Sequence, residues 1–257
     1  QTNKKTGVLK LEKPIEVLYE GVDTSVYKKV SSIKNTIITE LKNIPEDFCY
    51  LFVGHWLKGD IGHDRKDVGM MIKTYCEAFR RKSKKNIPGL ILKTSHATFS
   101  ITDRDMITSK IQQIIEPYGD KAPNIYLLHG DLSDDEMNSL YNHPKVKAMV
   151  SFKVHPSAAD KFILQESQWF TVNYGYASKV LQDVVSNYKK YLAISRKQPQ
   201  HIKDNFSLEG MRSLFCKYVD KGSESVPQQM SLQLPKLKKV GTNAPKVKLP
   251  TLKKVKL

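Results

Sequence analysis

CYLFVGHWLKGDIGHDRKDVGMMIKTYCEAF, residues 49 to 79, runs from an apolar stretch through a charged loop with three glycines into a periodic apolar stretch. CYLFVG (49–54) reads as a strand. From Asp67 to Arg81 the residues Val68, Met71, Ile72, Tyr75 and Phe79 fall on one helical face, the spacing of a helix packed on a sheet.

The same alternation extends to both sides. Upstream, IEVLYEGV (15–22) reads as a buried strand, and Val30 to Leu41 as a short helix ending near Pro45. Downstream come a strand GLILKTS (89–95), a helix opening near Thr102 and stopping at Pro117 to Gly119, and a strand NIYLLHG (124–130). Ser133 and Glu136 have the spacing of a capping box for a helix running to about His143, and KAMVSF (147–152) is a further strand. Strands alternating with amphipathic helices predict an α/β fold, a Rossmann-like doubly wound parallel sheet. Beyond it, Tyr176 to Tyr191 and Leu208 to Tyr218 read as helices. The expected organisation is a polar segment 1–13, a Rossmann-like domain 14–153, a C-terminal helical section 154–222 and an extended tail 223–257.

The chain has 257 residues, 40% of them hydrophobic, enough for a substantial core. Its net charge of +16 is unevenly placed: eight lysines and no acid lie between Ser225 and Leu257. There LPKLKKV (234–240) returns as LPTLKKV (249–255). The prolines forbid a helix, and the alternation favours an extended or polyproline-II strip that buries too little apolar surface to order itself. Held in place, it would need an acidic partner surface. Leu234, Leu237, Leu249 and Leu252 would be the apolar anchors, with Lys236, Lys238, Lys239, Lys253 and Lys254 as counter-charges.

Three widely spaced cysteines without a CxxC pattern indicate neither a disulfide framework nor a zinc site and suit a reducing compartment. No run is long and apolar enough for a membrane span, and no signal peptide is visible. The start at Gln1 rather than Met reads as a chain whose N-terminus lies upstream.

In an open parallel sheet, ligands gather where strand ends lead into helix starts. Gly54 is at such an end, Gly59 and Gly62 loosen the loop after it, and Lys58, Arg65 and Lys66 offer cations for a diphosphate. The spacing is neither GxGxxG opening a helix nor GxxxxGK[ST], which disfavours NAD and Walker-type ATP sites; the bland alternative is a polar loop with glycines for turns. Lys93, ending LILK, is a second phosphate candidate, or a lysine snorkelling from a strand end. His129 could meet a base or sugar, or be a satisfied core histidine. Asp103-Arg104-Asp105 spells DxD, a metal-nucleotide signature, but lies where a helix begins with Thr102 as expected N-cap, and acids there suit the helix dipole. His55, Asp60, His63 and Asp64 lack metal-site spacing, Trp56 and Trp169 read as packing, and the basic run from Arg80 to Lys85 as a solvated helix end.

Taken in order, EVLYEGVDTSVY, LFVGHWLKGDIGHDRKDVGMMIKTYCEAF, LILKTS, NIYLLHGDLSDDEMNSLY and VKAMVSF resemble the C-terminal, donor-binding half of group-1 type GT-B glycosyltransferases, particularly those encoded by large tailed phages and cyanophages. The resemblance spans about residues 14 to 220 and is carried by the order of segments more than by any one motif. It implies that this is one GT-B lobe, entered from the interdomain hinge at EGVD, with an acceptor-binding lobe upstream. It also implies Gly54 as the close-approach glycine, Lys66 as the leading diphosphate ligand, and His129, Gly130 and Leu132 of HGDLS as neighbours of the nucleotide base. The substrate would be a nucleotide sugar, with no metal or other cofactor required. The family's GEGFG-like loop should follow VSF, whereas here VSFK runs into VHPSAADKFILQESQW. That loop is either lost or missing from the join at Lys153–Val154.

Two functions follow. One is sugar transfer from a nucleotide sugar, catalysed mainly by neutralising charge on the leaving diphosphate. The other is a catalytically inactive decoration protein on the same scaffold, anchored by residues 231–257 to an acidic capsid, portal or tail component. Synthesis in a host cytoplasm and association with a virion fit both. Nucleic acid as the tail's partner rests on charge alone and is not favoured.

Overall fold

The computed structural model describes residues 15–57, 61, 64, 66–80, 87–152 and 172–223. Four of its strands form one parallel sheet: β1 Cys49–Val53, β2 Gly89–Lys93, β3 Ile125–Leu128 and β4 Val146–Met149, in the order β3-β2-β1-β4. Residues pair from Cys49 with Gly89 to Val53 with Lys93, and from Leu90 with Ile125 to Lys93 with Leu128. The β1–β4 register shifts between Cys49 and Tyr50.

Side chains alternate across a strand, and here both faces are apolar because helices cover both. On one face Tyr50, Phe52, Leu90 and Leu92 pack with α2 (Val68–Phe79), α3 (Ile101–Ile115) and α5 (Tyr174–Ser186). On the other, Cys49, Leu51 and Ile91 meet α1 (Asn35–Leu41) and α4 (Asp134–Asn142) through Ile37, Leu41 and Leu140. The chain thus winds outward from β1 to β3 on one face and returns over the other to place β4 beside β1. This is the doubly wound, Rossmann-like α/β arrangement, with its topological switch between β1 and β4.

Local chemistry sets the helix starts. Ser133 and Glu136 form the reciprocal capping box of α4. The N-cap of α3 is Ser100 rather than Thr102: the Ser100 hydroxyl accepts the Asp103 amide, two positions earlier than the acids suggested. After α3 a 3-10 turn, Glu116–Lys121, carries Gly119 at φ 51°.

Two further expectations change. IEVLYEGV is not a strand: Ile15 and Val17 are exposed, and only Val22 makes a β-bridge, to Ser207. The helix expected from Tyr176 to Tyr191 breaks at Asn187, which leaves helical geometry between α5 and α6 (Tyr188–Ser195). A polar helix α7, Gln198–Asn205, precedes α8, Leu208–Ser223. The chain divides after Leu214, and the described part of the second unit is the end of α8, 215–223. Segment 1–13, the join at Lys153–Val154, Trp169, Arg81 to Lys85 and the repeat tail all lie outside the described residues.

Candidate functional site

Because all four strands are parallel, their carboxyl ends share one edge. Gly54 follows β1, Thr94 and Ser95 follow β2, His129 to Asp131 follow β3, and Val150 to Phe152 follow β4. A cavity of about 220 Å³ opens on this edge, lined by Gly54, His55, Lys93, Thr94, Ser95, Phe99, Asp131 and Leu132 together with Val53 and Met137.

Gly54 and Lys66 meet here. A Cβ built on Gly54 would lie 2.5 Å from Lys66 Nζ and 2.7 Å from its Cδ, so only glycine lets the lysine lie across the end of β1. Gly54 also has φ 157° and donates its amide to the Lys93 carbonyl at 3.1 Å, which fixes it against β2. Among the described residues nothing accepts a hydrogen bond from the Lys66 ammonium. The start of α2 is already served by an anion: an oxygen of the buried Asp64 accepts the amides of Lys66 at 3.2 Å and Val68 at 3.4 Å. Part of the start of α2 is thus already met by a carboxylate, and the Lys66 ammonium is a described cation beside it. Lys58, Gly59, Asp60, Gly62, His63 and Arg65 of the same loop lie outside the described residues.

Lys93 has another arrangement. Its ammonium donates to the Gly130 carbonyl at 2.6 Å and sits 5.2 Å from the centre of the Phe99 ring. Burial lowers its pKa, against an opposing pull from Asp131. The amine thus ties β2 to the loop after β3, where Gly130 has φ 139°, a conformation that favours glycine. It lines the cavity with its donor partly spent.

His129 is largely buried, with Nε2 2.9 Å from an Asp103 carboxylate oxygen, and its ring meets Phe99 edge to face. The same Asp103 oxygen accepts the His96 amide at 3.0 Å. Burial opposes ionisation of Asp103 most strongly, but the hydrogen bond from His129 and the amides of His96 and Ala97 outweigh it and hold the carboxyl below its ordinary value. Asp103 of the DxD triplet is thus a buried clamp between the loops after β2 and β3. No cluster of three or more His, Cys, Asp or Glu placed to hold a metal occurs among the described residues.

Gly54, Lys66 and Lys93, foreseen as diphosphate ligands, stand on this edge, as do Gly130 and Leu132; His129 lies just beneath, facing Asp103. Sequence reasoning passed over Thr94, Ser95 and Phe99, while Asp131 lies within the HGDLS loop it had placed near the base. His55 Nδ1 lies 3.0 Å from Ser95 Oγ, and Thr94 Oγ1 is buried with no hydrogen-bond partner. The available signal was the pair of small hydroxyl residues directly after an apolar strand. Trp56 is core, with Lys110 over its ring at 5.5 Å. Burial pushes the thiols of Cys49 up to about 11 and Cys76 up to about 12, which makes both poor nucleophiles. No helix among the described residues is long and apolar enough to cross a membrane.

Fold and site together define an α/β domain of Rossmann type with a crevice at the carboxyl ends of its parallel strands. Among solved structures it is similar to the C-terminal domain of a group 1 family glycosyl transferase, LpcC, from Francisella tularensis, with a TM-score of 0.50 and 14% identity over 73% of this chain and 100% of that one. At that identity the likeness is one of fold. No family model and no curated protein matches the chain.

Proposed function

We propose that this chain is the donor-binding lobe of a GT-B glycosyltransferase and holds the diphosphate of a nucleotide sugar at the carboxyl edge of the sheet, over the end of β1. The observation that carries this reading is the approach of Lys66 to Gly54: a cation laid over a bare backbone at the switch point of a parallel sheet. When the bond from sugar carbon to phosphate oxygen breaks, the nucleoside diphosphate leaves with added negative charge. The Lys66 ammonium would neutralise that charge without a metal. Lys93 would act through the Gly130 carbonyl, holding the loop with Asp131 and Leu132 where the base would lie. The test is release or transfer of sugar from a panel of UDP- and GDP-sugars. Turnover abolished in Lys66→Ala is expected, whereas turnover unchanged in that variant would refute the assignment.

A second reading rests on the LPKLKKV and LPTLKKV repeats. Their alternating leucines and lysines suit an acidic capsid, portal or tail surface, which would place the protein on a phage particle with or without activity. Deletion of residues 231–257 should then release it from particles, and unchanged incorporation would exclude that role.

A further inference from the structure

Asp67 stands between Lys66 and the first residue of α2 and is the one non-glycine with positive φ among the described residues, at φ 49°, ψ 42°. Left-handed geometry is costly for an L-residue and calls for a compensating contact. The side chain does not cap α2. It is 1% exposed, with Oδ2 accepting the Tyr174 hydroxyl at 2.6 Å and Oδ1 buried without a hydrogen-bond partner. A buried carboxylate so incompletely satisfied adds little to stability and asks for another reason.

Its position supplies one. Tyr174 opens α5 and packs its ring 6.1 Å from that of Phe152, just past β4. A continuous set of contacts therefore runs from the end of β4 through Phe152 and Tyr174 to Asp67, then along the backbone to Lys66 and across to Gly54 at the end of β1. It spans the two strands that flank the switch point. The left-handed turn at Asp67 lets residue 66 point back over the sheet edge while residue 68 starts the helix.

We propose that Asp67 and Tyr174 are a positioning pair that fixes the direction of Lys66 over Gly54 and thereby sets affinity for a diphosphate. This rests on the donor-binding reading above. Neither residue touches the ligand. Asn at position 67 tolerates the left-handed region and keeps an acceptor for Tyr174, so it should preserve the function; Ala at 67 and Phe at 174 should not.

The experiment is calorimetric titration of the full chain with UDP, GDP and inorganic diphosphate, comparing wild type, Asp67→Asn, Asp67→Ala and Tyr174→Phe, with thermal unfolding of each. Tyr174→Phe and Asp67→Ala should weaken binding about tenfold or more while Asp67→Asn stays near wild type. In chain reductively methylated with 13C, the Lys66 resonance, assigned by its loss in Lys66→Arg, should move in Tyr174→Phe and stay in Asp67→Asn without any nucleotide. Wild-type affinity in all three variants, or an unmoved Lys66 resonance in Tyr174→Phe, overturns the pair. Absence of binding in the wild type itself overturns the donor reading, and with it the pair's role in affinity.

Discussion

Lys66 lies so close over Gly54 that a methyl group on the glycine would fall 2.5 Å from the lysine Nζ. The clash would be with the far end of a flexible side chain, which can swing away at small cost, so a substitution here separates binding from folding. Gly54→Ala should lower affinity for UDP or GDP about tenfold, while its φ of 157° adds a strain of about 1 kcal/mol, or about 2–4 °C in unfolding midpoint. Calorimetry and a thermal melt on the same sample check both.

The two lysines should differ in kind. Lys93→Met leaves the Gly130 carbonyl without its ammonium donor at 2.6 Å, and the expected loss of stability is about 1–3 kcal/mol. Lys66→Met removes a cation with no described acceptor and should change stability by no more than about 0.5 kcal/mol while removing most of the diphosphate affinity. Urea unfolding of the two variants gives the comparison.

Asp103 links stability to pH. Its folded pKa lies below the ordinary carboxylate value, so its contribution is present above the unfolded pKa and is lost as pH falls through the folded one. Wild type should therefore lose stability between neutral and acid pH, and Asp103→Asn should flatten part of that slope. The variant should be about 2 kcal/mol less stable at pH 7, because hydrogen bonds to a charged acceptor are lost. Unfolding midpoints from pH 7 to pH 3 would show this, and parallel profiles would contradict it.

The sheet was legible in the sequence because CYLFV and GLILK are buried on both faces, which leaves unbroken apolar runs. The α4 capping box was legible because its two residues are three apart and need nothing else. IEVLYEGV misled because apolar content says nothing about whether a partner strand exists; Val22 finds only Ser207. Helix α7 has no buried residues and so no apolar period to detect. At the site, Gly54 and Lys93 could be found because strand ends can be found. The pairing of Asp103 with His129, and of Asp67 with Tyr174, could not, because each joins distant segments that only the fold brings together.

The most direct test of the account is calorimetric titration of the chain with UDP and GDP, in wild type and Lys66→Ala. Saturable binding of at least one nucleoside diphosphate, weakened about tenfold or more in the variant, is predicted. Equal affinity in both proteins, or no binding of either nucleotide by the wild type, would contradict it.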